Sequence, residues 1–163
     1  MLFLSAFCAS SFAIDFDEDG LEQGYRGFVD FSYTLGVGDF GKNHDRVNLM
    51  TSHGYQIVPQ LFAGVGVGAN YYYDDDSWNL PIFAHFRSDI LNNDITPFVD
   101  LRVGYSLIDV KGFYLNPSIG CRFAVSDNIA LNVGVGYTLQ KAEFYKYGQK
   151  NCGGVDFRFG IDF

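Results

Sequence analysis

Three histidines, His44, His53 and His85, and the carboxylates and serines near them are the residues of this 163-residue chain best suited to acid–base chemistry. A hydrolytic site needs a His within hydrogen-bond reach of a Ser, oriented by a carboxylate. His44 adjoins Asp45 but has no Ser beside it. Ser52 adjoins His53, yet in an extended chain neighbouring side chains point to opposite faces. The run Asp74-Asp75-Asp76 offers hard oxygen ligands for Ca²⁺, but lacks the spaced ligands and Gly of an EF-hand loop and reads better as a solvated charge run. Lys141, Phe144, Tyr145, Lys146, Tyr147 and Lys150 put cations beside aromatics, a mixture that suits anionic head groups or a protein partner. No cofactor and no metal are expected.

The elements that must carry these residues alternate with a period of two. In residues 25–37, Tyr25, Val29, Phe31, Tyr33, Leu35 and Val37 share one face, and Arg26, Asp30, Ser32 and Thr34 the other. The same alternation runs through 61–71, 97–107, 113–125, 129–139 and 155–163, and more weakly through 46–57 and 80–88. These segments predict eight strands of about 10 to 13 residues, long enough to cross a bilayer at a tilt. His53 falls near mid-span on the apolar face, where an imidazole is costly; a β-bulge or register shift near His53-Gly54 is one escape and a protein contact another, and the bulge is expected. His85 falls on the polar face towards one end.

The polar face carries Arg26, Asp30, Arg87, Asp89, Asp100, Arg102, Arg122, Asp156 and Arg158. Both signs recur two residues apart: Arg87 with Asp89, Asp100 with Arg102, Asp156 with Arg158. A closed, narrow lumen would pair these charges and leave the apolar face to lipid. Charge pairs among Arg26, Asp30, Asp100, Arg102, Arg122 and Arg158 are therefore expected to brace a barrel. A soluble, lipocalin-like barrel would turn the apolar face inward and leave the arginines merely solvated. Outward aromatics sort into two levels: Tyr71, Tyr105, Phe113 and Tyr137 at one, and Tyr25, Tyr55, Phe86, Phe123 and Phe163 at the other, as interfacial girdles do.

Composition agrees. Eleven Lys and Arg against 19 Asp and Glu give a formal charge of -8, which disfavours nucleic acid as a partner. Gly (19), Tyr (11) and Phe (17) are abundant, and mean hydropathy is only +0.03. A helical membrane protein would be far greasier. Residues 1–13 are apolar and end Ser11-Phe12-Ala13, similar to a secretory signal, though no cation precedes the apolar core. An acidic lead-in, 14–23, precedes a barrel spanning 24–163. Of the three cysteines, Cys8 falls in the signal, and Cys121 and Cys152 map to opposite ends, so no internal disulfide is expected.

Short turns are expected at Val58-Pro59-Gln60, Ile90 to Ile95 and Ser126-Asp127-Asn128. The other connections are expected at Asp39–Asp45, Asp74–Asn79, Ile108–Gly112 and Lys141–Gly153; the third is no longer than the second turn, so the asymmetry rests mainly on the first and fourth. In a bacterial outer-membrane barrel the short turns are periplasmic. The alternating end Val155-Asp156-Phe157-Arg158-Phe159-Gly160-Ile161-Asp162-Phe163 resembles the C-terminal signal read by the barrel-assembly machinery, with Phe163 as the terminal aromatic. With the strand count and the signal-like start, the chain resembles the small outer-membrane β-barrels of the OmpA/OmpX type. The resemblance implies an all-β, closed, antiparallel up-and-down barrel in outer-membrane lipid and lipopolysaccharide. It also implies a role in membrane integrity, adhesion or surface contact through a ligand the sequence does not name. A narrow channel and a lipid A-modifying enzyme are the alternatives. On this map His85 lies towards the periplasm, the wrong depth for lipid A.

Overall fold

Eight alternating runs become eight strands: β1 (Gly24–Gly36), β2 (Arg46–Val58), β3 (Leu61–Tyr72), β4 (Ser77–Asp89), β5 (Ile95–Ile108), β6 (Gly112–Ser126), β7 (Ile129–Phe144) and β8 (Gly148–Asp162). The computed structural model describes residues 24–37, 45–73, 76–91, 94–109, 111–126, 129–144 and 148–163. The signal-like segment, the acidic lead-in, Cys8, His44, Asp74, Asp75, Tyr145, Lys146 and Tyr147 lie outside these, as do the side chains of Lys141, Phe144, Lys150 and Cys152. Each strand pairs antiparallel with the next, and β8 returns to β1 to close the barrel. Closure gives every strand a hydrogen-bonded neighbour on both sides, as a lipid-embedded sheet requires.

Alternation sorts the side chains inside out. Val65 and Ile119, on the outer face, are 68% and 65% exposed, while the polar face is buried in the lumen. Both described ends of the barrel, Gly24 and Phe163, lie with the short β2–β3, β4–β5 and β6–β7 turns, here called the turn end. At the opposite, loop end, Tyr71, Tyr73 and Trp78 form an outward aromatic group, with Tyr71 5.1 Å from Trp78 between ring centroids. Cys121 is free. It pairs with Val133 on β7, whereas Cys152 pairs with Gln140. That offset along β7 is about 23 Å, beyond the reach of a disulfide.

Two expectations are corrected. The register of β2 runs unbroken through His53 and Gly54, and the irregularities fall instead between Gln56 and Val58 and between Ala124 and Ser126. Both sit against a tight turn, where a bulge re-aims the chain at a barrel rim. His53 remains on the outer face because its ring nitrogens are satisfied there. Tyr25 Oη lies 2.6 Å from Nδ1 and Thr51 Oγ1 lies 3.0 Å from Nε2. Thr51 donates its hydroxyl to the Phe28 carbonyl at 3.0 Å, so it accepts from Nε2–H, and the Tyr25 hydroxyl serves Nδ1. The imidazole lies between the Tyr25 and Phe163 rings.

The second correction concerns the last hairpin. The stretch expected as a long loop from Lys141 to Gly153 is mostly strand, with β7 reaching Phe144 and β8 starting at Gly148. Neither Gly nor Pro interrupts residues 137–147, so nothing breaks the extended chain. Pairing of β6 with β7 ends at Gln140, and pairing of β1 with β8 ends at Gly154. Beyond that level Lys141 to Phe144 pair only with Gly148 to Asn151, forming a free-standing two-stranded ribbon at the loop end.

Inward glycines let the wall approach itself. At Gly104 an added Cβ would sit 2.0 Å from the Ile82 carbonyl oxygen and 2.6 Å from the Phe83 Cα, so backbone rather than a side-chain tip would have to move. Gly104→Ala is expected to cost about 1 to 3 kcal/mol of barrel stability, read as a lower urea midpoint in detergent.

Candidate functional site

The inward face of every strand meets in the lumen, and polar side chains fill it. All nine charged residues expected there are buried: Arg26, Asp30, Arg87, Asp89, Asp100, Arg102, Arg122, Asp156 and Arg158. The pairs two apart on one strand do touch, at 2.9 Å for Arg87–Asp89, 3.5 Å for Arg102–Asp100 and 3.3 Å for Arg158–Asp156. Contacts between strands tie them into one network.

At the turn end the hub is Asp162, which the sequence reading placed inward without counting it among the charges. Asp162 pairs with Arg26, accepts from Arg122 Nε at 2.9 Å, and accepts from the Asn132 amide at 3.3 Å. Arg26 reaches across to Asp89 at 2.7 Å and to the Gln56 carbonyl oxygen at 2.9 Å. Arg87 donates to Asp89 and to Asn132, and its guanidinium stacks 3.7 Å above the Phe98 ring. Phe28 lies beneath both Arg26 and Arg87. This layer joins β1, β2, β4, β5, β6, β7 and β8, so it ties nearly the whole circumference together.

Midway, Asp30 pairs with Arg102 at 2.5 Å, and Arg158 donates to Asp100 at 3.2 Å, to Ser118 at 3.1 Å and to Asn116 at 2.5 Å. Here the structure assembles a constellation that the sequence did not reveal. Ser52 Oγ lies 2.7 Å from His85 Nδ1, and His85 Nε2 lies 2.8 Å from Asp100 Oδ2. Ser52 is on β2, His85 on β4 and Asp100 on β5, and only the barrel's curvature brings them together.

A Ser–His–Asp row suggests nucleophilic chemistry, but a nucleophile must meet its substrate. His85 is 0% and Ser52 1% exposed. The Phe28 and Phe62 rings lie edge-on to the imidazole at 5.1 and 5.2 Å. No reacting group can approach Ser52 Oγ without dismantling this packing. The row instead satisfies three buried polar groups at once, as their burial demands.

Above this layer Met50, Phe83 and Tyr114 form an apolar partition. Arg102 Nη1 and Tyr114 Oη both point at the Met50 sulfur, at 3.4 and 3.7 Å. On the loop-end side, Asn48 donates to Ser32 Oγ and Thr34 Oγ1 at 2.9 and 2.8 Å, and Thr34 donates to Asp156 at 2.9 Å. Arg46, the first residue of β2, donates to Tyr72 Oη at 3.0 Å. It escaped the sequence reading because it stood at the boundary of a weakly alternating segment.

The remaining expected positions divide as follows. Phe163 pairs through its main chain with Gly27, at 2.7 and 3.0 Å, and so fastens the seam between first and last strands. Lys141, Phe144 and Lys150 sit on the β7–β8 ribbon rather than in an open loop. Asp76 accepts a hydrogen bond from Tyr71 Oη at 2.7 Å, next to the positions of Asp74 and Asp75.

No protein-family model matches the chain, and no curated protein does. Solved structures do. Neisserial surface protein A is 18% identical, with 85% of this chain and 96% of that one aligned and a TM-score of 0.70. The N-terminal β-barrel domain of Pseudomonas aeruginosa OprF is 10% identical, covering 87% and 100%, with a TM-score of 0.54. Ail of Yersinia pestis, solved with the heparin analogue sucrose octasulfate, is 12% identical, covering 88% and 100%, with a TM-score of 0.51. The chain has the fold of the small eight-strand outer-membrane barrels.

Proposed function

We propose that this protein is an integral outer-membrane barrel with a sealed lumen, serving membrane integrity or surface contact rather than catalysis or transport. One observation carries the proposal: at the turn end and midway, interlocked side chains cross the barrel's polar interior. Arg26, Arg102, Arg122 and Arg158 are held on Asp partners of other strands, Arg87 on Asp89 of its own strand, and the Phe98 ring stacks under the Arg87 guanidinium. An eight-strand lumen is only wide enough for side chains, and an open pore needs more strands.

The apolar exterior suits acyl chains, and the loop-end aromatics suit the lipopolysaccharide interface. The seam-forming Phe163 is the residue proposed to present the chain to the barrel-assembly machinery. Export by the signal-like N-terminus and contact of the β7–β8 ribbon with a surface ligand complete this reading. The buried Ser52–His85–Asp100 row argues against a lipid A-modifying activity, since no lipid could reach it.

The test is conductance in planar bilayers. The folded barrel is expected to show no discrete opening events above the lipid background across the range of applied voltage. A steady open level would contradict a sealed lumen and favour the narrow channel.

A further inference from the structure

The lumen's charges do not balance. Among the described residues six arginines are buried (26, 46, 87, 102, 122 and 158) but only five aspartates (30, 89, 100, 156 and 162). Five of the arginines have a carboxylate within ion-pair distance. Arg46 has none among the described residues. Asp156, at the same level of the wall, is already engaged by Arg158, Thr34 and Asn48.

Arg46 is also short of hydrogen bonds. It is 2% exposed, and its Nε and Nη2 have no partner among the described residues. A second, independent set of orphans lies at the levels below it. Among the described residues neither side-chain atom of Asn70 or of Asn79 has a partner, nor has Ser106 Oγ, and all three residues are fully buried. Asn48, Asn70 and Asn79 are direct cross-strand neighbours on β2, β3 and β4, one inward position below Arg46. Met50 and Phe83, of the apolar cluster, lie at the levels beneath these asparagines.

A buried, unneutralised guanidinium and a ring of unused amide and hydroxyl donors are each costly alone. Together they are the surroundings of a small anion. We propose that the loop-end lumen binds one monovalent anion of the halide type, chloride under ordinary conditions. Arg46 Nε and Nη2, the Asn70 and Asn79 amides and the Ser106 hydroxyl are its donors. A single negative charge brings the buried charges to balance. A phosphate dianion would overshoot, and would meet the Asp156 carboxylate at the same level of the wall, two strands away. The amide oxygens left over can be served by water.

The site would act as a ligand-fed brace, giving the loop end the neutralisation that Asp162 supplies at the turn end. The probe is bromide. Crystals of the folded barrel grown in sodium bromide are expected to show an anomalous peak within hydrogen-bond distance of Arg46 Nε or Nη2. In detergent, the unfolding midpoint is expected to rise saturably with bromide or chloride at constant ionic strength, with gluconate as the inert counterion. Arg46→Met is expected to weaken that halide dependence about tenfold or more, the usual scale of a lost charge-assisted hydrogen bond. Should Arg46→Met not fold, the wild-type anomalous map stands as the deciding measurement. A map with only water at Arg46, or a midpoint indifferent to halide, overturns the proposal.

Discussion

Replacing Arg102 with alanine is expected to cost about 3 to 5 kcal/mol of folding free energy, the usual result of removing one partner from a buried ion pair. The reason lies in what stays behind. Arg102 is the cation paired with Asp30, at 2.5 Å, and it also lies 3.5 Å from Asp100. Asp100 keeps His85 and Arg158, but Asp30 would be stranded on β1 with no other cation within 4.0 Å among the described residues. Urea unfolding in detergent or vesicles measures the change. Pairing Arg102→Met with Asp30→Asn should recover part of the loss, because removing both charges leaves nothing stranded, and coupling of contacting residues runs to about 0.5 to 3 kcal/mol. A loss under about 1 kcal/mol, the value of an exposed pair, would mean that the network fills the lumen without bracing it.

The second large effect belongs to the other face. Ile119 stands midway along β6, directed outward between Val99 and Val135. Ile119→Arg is expected to destabilise the barrel in lipid vesicles by about 2 to 4 kcal/mol, the cost of a cation near the bilayer midplane. Val125 is also outward and 63% exposed, but sits at the turn end of the same strand. Val125→Arg should cost only about 0 to 1 kcal/mol, since its side chain reaches the interface. The gradient between the two is the informative quantity. On a water-facing surface both would fall within about 0.5 kcal/mol of wild type.

The fold could be read from the sequence because a barrel's physics is local and periodic. Tyr25-Arg26 and Phe157-Arg158 each say which way they face without reference to any other strand. The site was only half legible for the same reason. Alternation placed Arg26, Asp30 and Arg158 inward, but not whom they would meet. That depends on strand register and on which walls curve towards each other. Ser52 was weighed against its chain neighbour His53, when its partner is His85, across the barrel on β4. Asp162, as the penultimate residue, looked like an ordinary member of the terminal motif, yet three groups converge on it.

The misreading of His53 has a different cause. A bulge was expected because an imidazole facing lipid needs relief. The relief came from Tyr25 and Thr51, both on the outer face beside it, at no cost to the ladder. The ribbon at Lys141–Phe144 was missed because its polar, lysine-rich composition resembles a loop, while its strand character comes from pairing with β8 alone.

The sheet is inside out, with its apolar face towards acyl chains. Nitroxide labels placed one at a time at Leu131, Val133, Val135, Tyr137 and Leu139 of β7, in lipid vesicles, test this arrangement. Collisions with dissolved oxygen are expected at every one of these positions, and the least contact with a water-soluble nickel complex at Val133 and Val135. Free access of the nickel complex to Val133 and Val135 would contradict the arrangement.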